Sequence, residues 1–150
     1  MSNRRRAREL ALHALYAIEL SKNPIEQVKE DTIFSENDSK TTKAFAEQLF
    51  YRAVNHVEEL DIMIRLKATN WDFTRIAIID KLILRMAICE FLYFDDIPPK
   101  VSIDEAIEIS KKYSTAKSGQ FINGILDSVL KELRHDDRIH KKGRGLIDGN

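Results

Sequence analysis

Apolar residues recur at three- and four-residue intervals along most of the chain, and no segment keeps the two-residue alternation of a half-buried strand. That periodicity predicts an all-α fold. The first stripe runs through Ala7, Leu10, Ala11, Ala14, Leu15 and Ile18. Asn23 and Pro24 supply an N-cap and a first-turn proline for a short second helix carrying Ile25 and Val28. Beyond a polar stretch through Glu36 and Asp38, a long third helix is expected over about 40–67, with Phe45, Leu49, Val54, Val57, Leu60 and Ile64 inside. The pattern breaks at 70–72, which predicts two subdomains, about 1–70 and 71–134. A fourth helix, about 74–94, is apolar on almost every side and therefore belongs at the centre of its bundle or between two interfaces. Pro98 and Pro99 end the connection after it, and Ser102 and Glu105 have the spacing of a capping box. A last helix over about 117–134 buries Ile122, Ile125, Leu126, Val129 and Leu133, and the basic segment 135–150 is expected to be a mobile tail.

The length of 150 residues suits one compact domain with a real core, and the 24 basic and 24 acidic residues cancel. Cys89, the single cysteine, excludes an internal disulfide framework and is expected in the core. No stretch has the length and apolarity of a bilayer span or a secretion signal, so a cytoplasmic protein without membrane contact is expected. Against this neutral background, Arg4, Arg5, Arg6 and Arg8 form a concentrated block, which points to a polyanionic partner. On a helical wheel Arg5, Arg6, Glu9, His13 and Tyr16 lie opposite the apolar stripe, and Arg4 and Arg8 flank it. Arginine beside an exposed tyrosine suits RNA, through phosphate pairing and base stacking. A solvated helix end and a contact with an anionic membrane fit the same composition.

His13, His56, His135 and His140 are scattered, without metal-ligand spacing, and neither a phosphate-cradling glycine loop nor a dinucleotide fingerprint occurs. No catalytic centre, metal or cofactor is expected. Asp80 falls on the wheel among Ile76, Ile83, Leu84, Ala87 and Phe91, and a carboxylate there needs a partner. Lys81, Arg85 or a group from another helix would serve, as would a docked protein. Phe121 lies off its helix's buried face, beside Lys117 and Ser118 in the first turn. There it either stacks a base while the helix N-terminus holds a phosphate, or seals the edge of the core.

The segments RRRARELALHALY, IDKLILRMAICEF and VSIDEAIEISKKYSTAKSGQFINGILD resemble the NusB family of bacterial transcription antitermination factors, in order and spacing, from Arg4 to about Leu133. The resemblance implies two small helical bundles packed together. It also implies a non-enzymatic adaptor that binds the boxA element of ribosomal RNA leaders, as single-stranded RNA, together with the ribosomal protein NusE. The complex would join RNA polymerase and other Nus factors. By position, Arg4, Arg5, Arg6 and Arg8 match the family's arginine-rich RNA motif, Tyr16 an aromatic position on the same helix, and Phe121, supported by Ser118, the aromatic residue near the RNA. Asp80 matches an acidic position, usually Glu, turned toward NusE, with Leu84 and Ala87 beside it on that face. Lys117 stands where relatives often carry an acidic or polar residue, which implies tighter or less selective RNA binding. Some members self-associate, so a homodimer that masks the RNA surface is a second expectation. A NusB-like domain also occurs in certain ribosomal RNA methyltransferases, whose separate catalytic domain this sequence lacks.

Overall fold

The computed structural model describes residues 3–69 and 72–147, which form helices joined by turns with no strand among them. They divide into two units at Asn55 and His56, not near residue 70. Asn70 and Trp71, where the break was expected, lie outside the described residues.

The first unit contains α1 (Arg4–Ser21), α2 (Ile25–Lys29), a π-helical turn (Glu30–Phe34) and α3 (Lys40–Asn55). Asn3 caps α1 by accepting from the Arg6 N–H at 3.0 Å, while its own N–H donates to Thr42 Oγ1 of α3 at 3.0 Å. The start of α1 is thereby tied to its neighbour. Along their lengths α1 and α3 pack together, with Ala7, Ala11, Ala14, Ala46 and Ala53 allowing close approach. Leu10, Leu15, Phe45, Leu49 and Phe50 fill the space between, and Val28 and Ile33 are buried with them. The chain leaves α1 through Lys22, a left-handed residue at φ 58°.

The second unit contains α4 (Val57–Lys67), a 3₁₀ turn (Phe73–Arg75), α5 (Ile78–Tyr93), α6 (Pro99–Tyr113), α7 (Ser118–His135) and a final 3₁₀ turn (Gly143–Leu146). The expected long third helix is therefore two helices. His56 leaves the helical region at φ −118° and ψ 19°, and its ring stacks on Tyr93 with centroids 4.1 Å apart. The apolar phase of the sequence runs through this break without a glycine or proline to announce it.

Helix α5 is the centre of the second unit and packs against α4, α6 and α7. Leu82, Ile83, Leu84, Met86, Ala87, Ile88, Cys89 and Phe91 are buried along it, so Cys89 is in the core as expected. Its buried polar groups are each met by a different helix. Arg85 donates to Asp61 of α4 through Nε at 2.7 Å and Nη2 at 3.0 Å. Glu90 accepts from Ser102 of α6 at 2.6 Å, and Asp80 accepts from Ser118 of α7 at 3.0 Å. Ser102 is thus not a helix cap. The Pro98-Pro99 pair starts α6 earlier, which leaves Ser102 inside the helix with its hydroxyl turned to Glu90.

The segment after α7 is docked as far as Gly145, against the expectation of a mobile tail, while Leu146 and Ile147 are exposed. Buried Lys141 donates to the Glu90 and Phe94 carbonyls at 2.9 and 2.7 Å, and the Lys142 N–H to the Asp95 carbonyl at 2.9 Å. Both carbonyls already accept a backbone N–H, Glu90 from Phe94 and Phe94 from Ile97 at 3.2 Å each, so the ammonium adds a second, charged donor to each and complements the dipole of α5. Gly145 lies so close to the Asp95 carbonyl that any side chain there would collide. Arg138 adds an ion pair to Glu59 at 3.2 Å. Lys141→Ala should lower stability by about 1–3 kcal/mol, read from the urea midpoint at unchanged slope. A variant as stable as the parent would show that this contact contributes nothing.

Candidate nucleic-acid interface

The arginine block splits into different jobs once α1 is packed. Arg4 and Arg5 are exposed at the start of the helix, with the Arg4 guanidinium 4.6 Å from the Phe45 ring centroid. Arg6 is half-buried and held by Asp38 at 3.2 Å, Glu36 at 3.2 Å and Glu9 at 3.7 Å. Burial opposes its charge, but the Asp38 hydrogen bond and the fields of Asp38, Glu36 and Glu9 outweigh that and raise its pKa. Arg8 is only 3% exposed, with its guanidinium 5.5 Å from the Phe45 centroid. Its assignment to RNA contact is therefore corrected: a face flanking the apolar stripe closes when an aromatic ring from α3 receives the cation. Glu9, expected outside, is buried as well. Tyr16 is exposed, three turns along the same helix.

In the second unit, Lys117, Ser118, Phe121 and Asp80 come together around a cavity of about 280 Å³. Thr115, Ile76, Ala77 and Arg75 complete its lining. Lys117 precedes the first turn of α7, Phe121 is half-buried, and the N-terminus of α7 lies between them. Ser118 is buried, and its Oγ is 2.8 Å from Ser114 Oγ, 3.1 Å from Thr115 Oγ1 and 3.0 Å from Asp80 Oδ2. Asp80 Oδ1 is buried without a hydrogen-bond partner among the described residues.

This arrangement settles the surroundings of Asp80. Its hydrogen-bond partner is the neutral Ser118 hydroxyl rather than Lys81 or Arg85: Lys81 lies over the Phe73 ring, 4.5 Å from its centroid, and Arg85 chelates Asp61. The assignment of Leu84 and Ala87 to a protein-docking face is corrected too. Leu84 is 0% and Ala87 3% exposed, and Asp80 faces the cavity beside α7. An all-round apolar helix presents no face to a partner when every side of it is covered.

Arg75 is the residue that sequence reasoning missed. Asp72 caps the 3₁₀ turn before α5 by accepting from the Thr74 hydroxyl at 2.7 Å and the Thr74 N–H at 3.0 Å. Those two bonds keep the Asp72 pKa below its usual value. The turn projects Arg75, its side chain 88% exposed, at the cavity. A basic residue directly after an Asp-x-Thr stretch, just ahead of a buried helix, was the available signal.

The sequence profile of the NusB family matches residues 5–131. The chain belongs to the NusB family. A transcription antitermination protein NusB from Salinibacter ruber (strain DSM 13855 / M31) is 46% identical over 148 residues, spanning 98% of this chain and 92% of that protein. The solved structure of T. maritima NusB, at 36% identity, matches with a TM-score of 0.81 over 88% of this chain and 94% of that one. A chain in the crystal structure of the antitermination factors NusB and NusE in complex with double-stranded RNA shares the fold, with a TM-score of 0.73 at 24% identity over 86% of this chain and 96% of that one. The all-helical NusB architecture is thus shared. No described helix is long and apolar enough to cross a membrane.

Because Ser118 is the hydrogen-bond donor recorded for Asp80 in this NusB-family site, Ser118→Ala should destabilise the protein by about 1–3 kcal/mol in urea unfolding. Stability equal to the parent's would mean that the buried carboxylate does not depend on the hydroxyl.

Proposed function

We propose that the protein is a non-enzymatic antitermination adaptor that binds single-stranded boxA-type RNA of ribosomal RNA leaders together with NusE. It acts in the cytoplasm, within the RNA polymerase complex that includes the other Nus factors. The observation that carries this reading is the half-buried Phe121 ring in a cavity lined by Lys117 and Arg75 at a helix N-terminus. An aromatic face beside cations at a helix N-terminus suits a base and its phosphate. In the first unit, exposed Arg4 and Arg5 sit on a packed helix, so their charges are presented without ordering a disordered arm, and Tyr16 adds a second ring. A protein of this fold is seen in a solved complex of NusB and NusE with double-stranded RNA, which supports NusE and RNA as the classes of partner. Leu84 and Ala87 are enclosed, so NusE is assigned to surfaces other than theirs.

Titration of a fluorescent boxA-like strand and a scrambled strand, with and without NusE and at several salt concentrations, tests this reading. If Arg4, Arg5, Arg75 and Lys117 each neutralise one phosphate, log affinity falls with log salt at a slope of about −3. Arg5→Ala should reduce that slope by about 0.7, whereas folded Arg8→Ala should leave it unchanged. Phe121→Ala should cost about 1–3 kcal/mol of binding. Undiminished affinity in folded Phe121→Ala, or equal affinity for the scrambled strand in the presence of NusE, would defeat the proposal.

A further inference from the structure

We infer that a second copy of this chain docks on the outer face of α4, antiparallel and related by a two-fold axis, so that Ile62 and Leu66 of both copies meet and Glu58 of each pairs with Arg65 of the other. The inference stands apart from RNA binding and adds a second interaction surface to the protein.

Helix α4 is divided by charge, with Glu58, Glu59 and Asp61 in its first half and Arg65 and Lys67 in its second. Three of these five groups are used within the second unit. Asp61 holds Arg85 at 2.7 Å, Glu59 accepts from Tyr93 at 3.0 Å and Arg138 at 3.2 Å, and Lys67 donates to Glu132 at 2.8 Å. Glu58 and Arg65 are exposed, and neither has an ion-pair partner among the described residues. The Arg65 guanidinium lies 4.3 Å from the Phe73 ring centroid. Stacking occupies the face of a guanidinium and keeps its N–H edge for a carboxylate.

Apolar surface lies beside these two charges. Ile62 and Leu66, one turn apart, are 53% and 58% exposed. Next to them α4 and α7 border a groove of about 230 Å³, with the buried side chains of Met63, Val129 and Leu133 in its lining. Two aliphatic side chains in water beside an apolar groove favour whatever covers them. At the rim Glu59 and Glu132 balance Arg138 and Lys67, so a nucleic acid or an anionic membrane gains no net attraction there.

A two-fold interface has to be complementary to itself, and this face is. Glu58 and Arg65 are two helical turns apart, about 10 Å, on the same side of Ile62. An antiparallel second α4, turned about an axis beside Ile62, brings Glu58 of each copy to Arg65 of the other. The ion pair forms twice, Ile62 meets Ile62, and each Leu66 lies over the other copy's groove. Parallel packing would set Glu58 against Glu58 and Arg65 against Arg65, so the charges select the antiparallel form. The α7 residues of the groove begin at Val129, about 12 Å along the helix from Phe121. This dimer is therefore not built on the cavity, unlike the RNA-masking homodimer that the family resemblance implies.

Sedimentation velocity of the full chain tests the inference. An interface centred on one 11-residue helix is small, so a monomer–dimer equilibrium is expected in the micromolar range. Ile62→Lys should weaken the dimer at least about tenfold with unchanged circular dichroism, because it sets two ammonium groups at the centre of the contact. Glu58→Arg and Arg65→Glu each place like charges together at both symmetric contacts, and each should weaken the dimer about tenfold. An equimolar mixture of these two variants restores opposite charges at both contacts and should recover the wild-type affinity to within about twofold. A merely structural role of either residue would not produce that recovery. Wild type that stays monomeric throughout the range, a dimer indifferent to Ile62→Lys, or a mixture no tighter than its components overturns the inference. Monomeric wild type whose NusE binding is lost in Ile62→Lys overturns it as well, and gives the face to a different protein.

Discussion

The second unit depends on one constraint: a helix covered on all sides takes its charged side chains into the interior with it. On α5 those groups are Asp80, Arg85 and Glu90, and α7, α4 and α6 each supply one answer, through Ser118, Asp61 and Ser102. Apolar burial alone is indifferent to small rotations and slips of a helix, because one methyl packs much like another. These polar pairs are not. A displacement by one residue would strand charges away from water, at a cost well above that of a looser hydrophobic contact. The register of the three surrounding helices is therefore tied to α5 electrostatically as well as sterically.

The cavity inherits its form from that arrangement. Asp80 is both the tie to α7 and part of the cavity lining, so the form of the cavity and the packing of the core meet in one residue. The cations around it come from structures of a different kind. Arg75 is carried by a capped 3₁₀ turn, and Lys117 stands just outside α7. Positive groups at the surface and a negative group beneath them give a polarity that neither the neutral overall charge nor the arginine block reveals.

Much of this was legible in the sequence because helical periodicity records burial directly. The stripe from Ala7 to Leu15, the enclosed character of α5 and the inward face of α7 are all found where the pattern puts them. The need of Asp80 for a partner was legible too, since a carboxylate among isoleucines is expensive whatever the fold. Which group met it was not, because a serine 38 residues away announces nothing locally. The same reason hid the break at His56, held by a stack on Tyr93, and the burial of Arg8 beside Phe45. A wheel treats arginine as a surface residue, whereas its flat cation and apolar stem fit against a ring. The Ser102 capping box failed for a different reason: the prolines just before it offered an earlier start, and the helix took that one.

Lys141 has a consequence for the order in which the molecule is made. It reinforces the end of α5 from 47 residues beyond Phe94, so the carbonyls there keep only their local backbone partners through the synthesis of two further helices before this charged donor leaves the ribosome. Chains grow from the N-terminus, and the first unit is complete long before that point. The second unit reaches its final hydrogen bonding only with the arrival of a basic stretch that, by composition, looks dispensable.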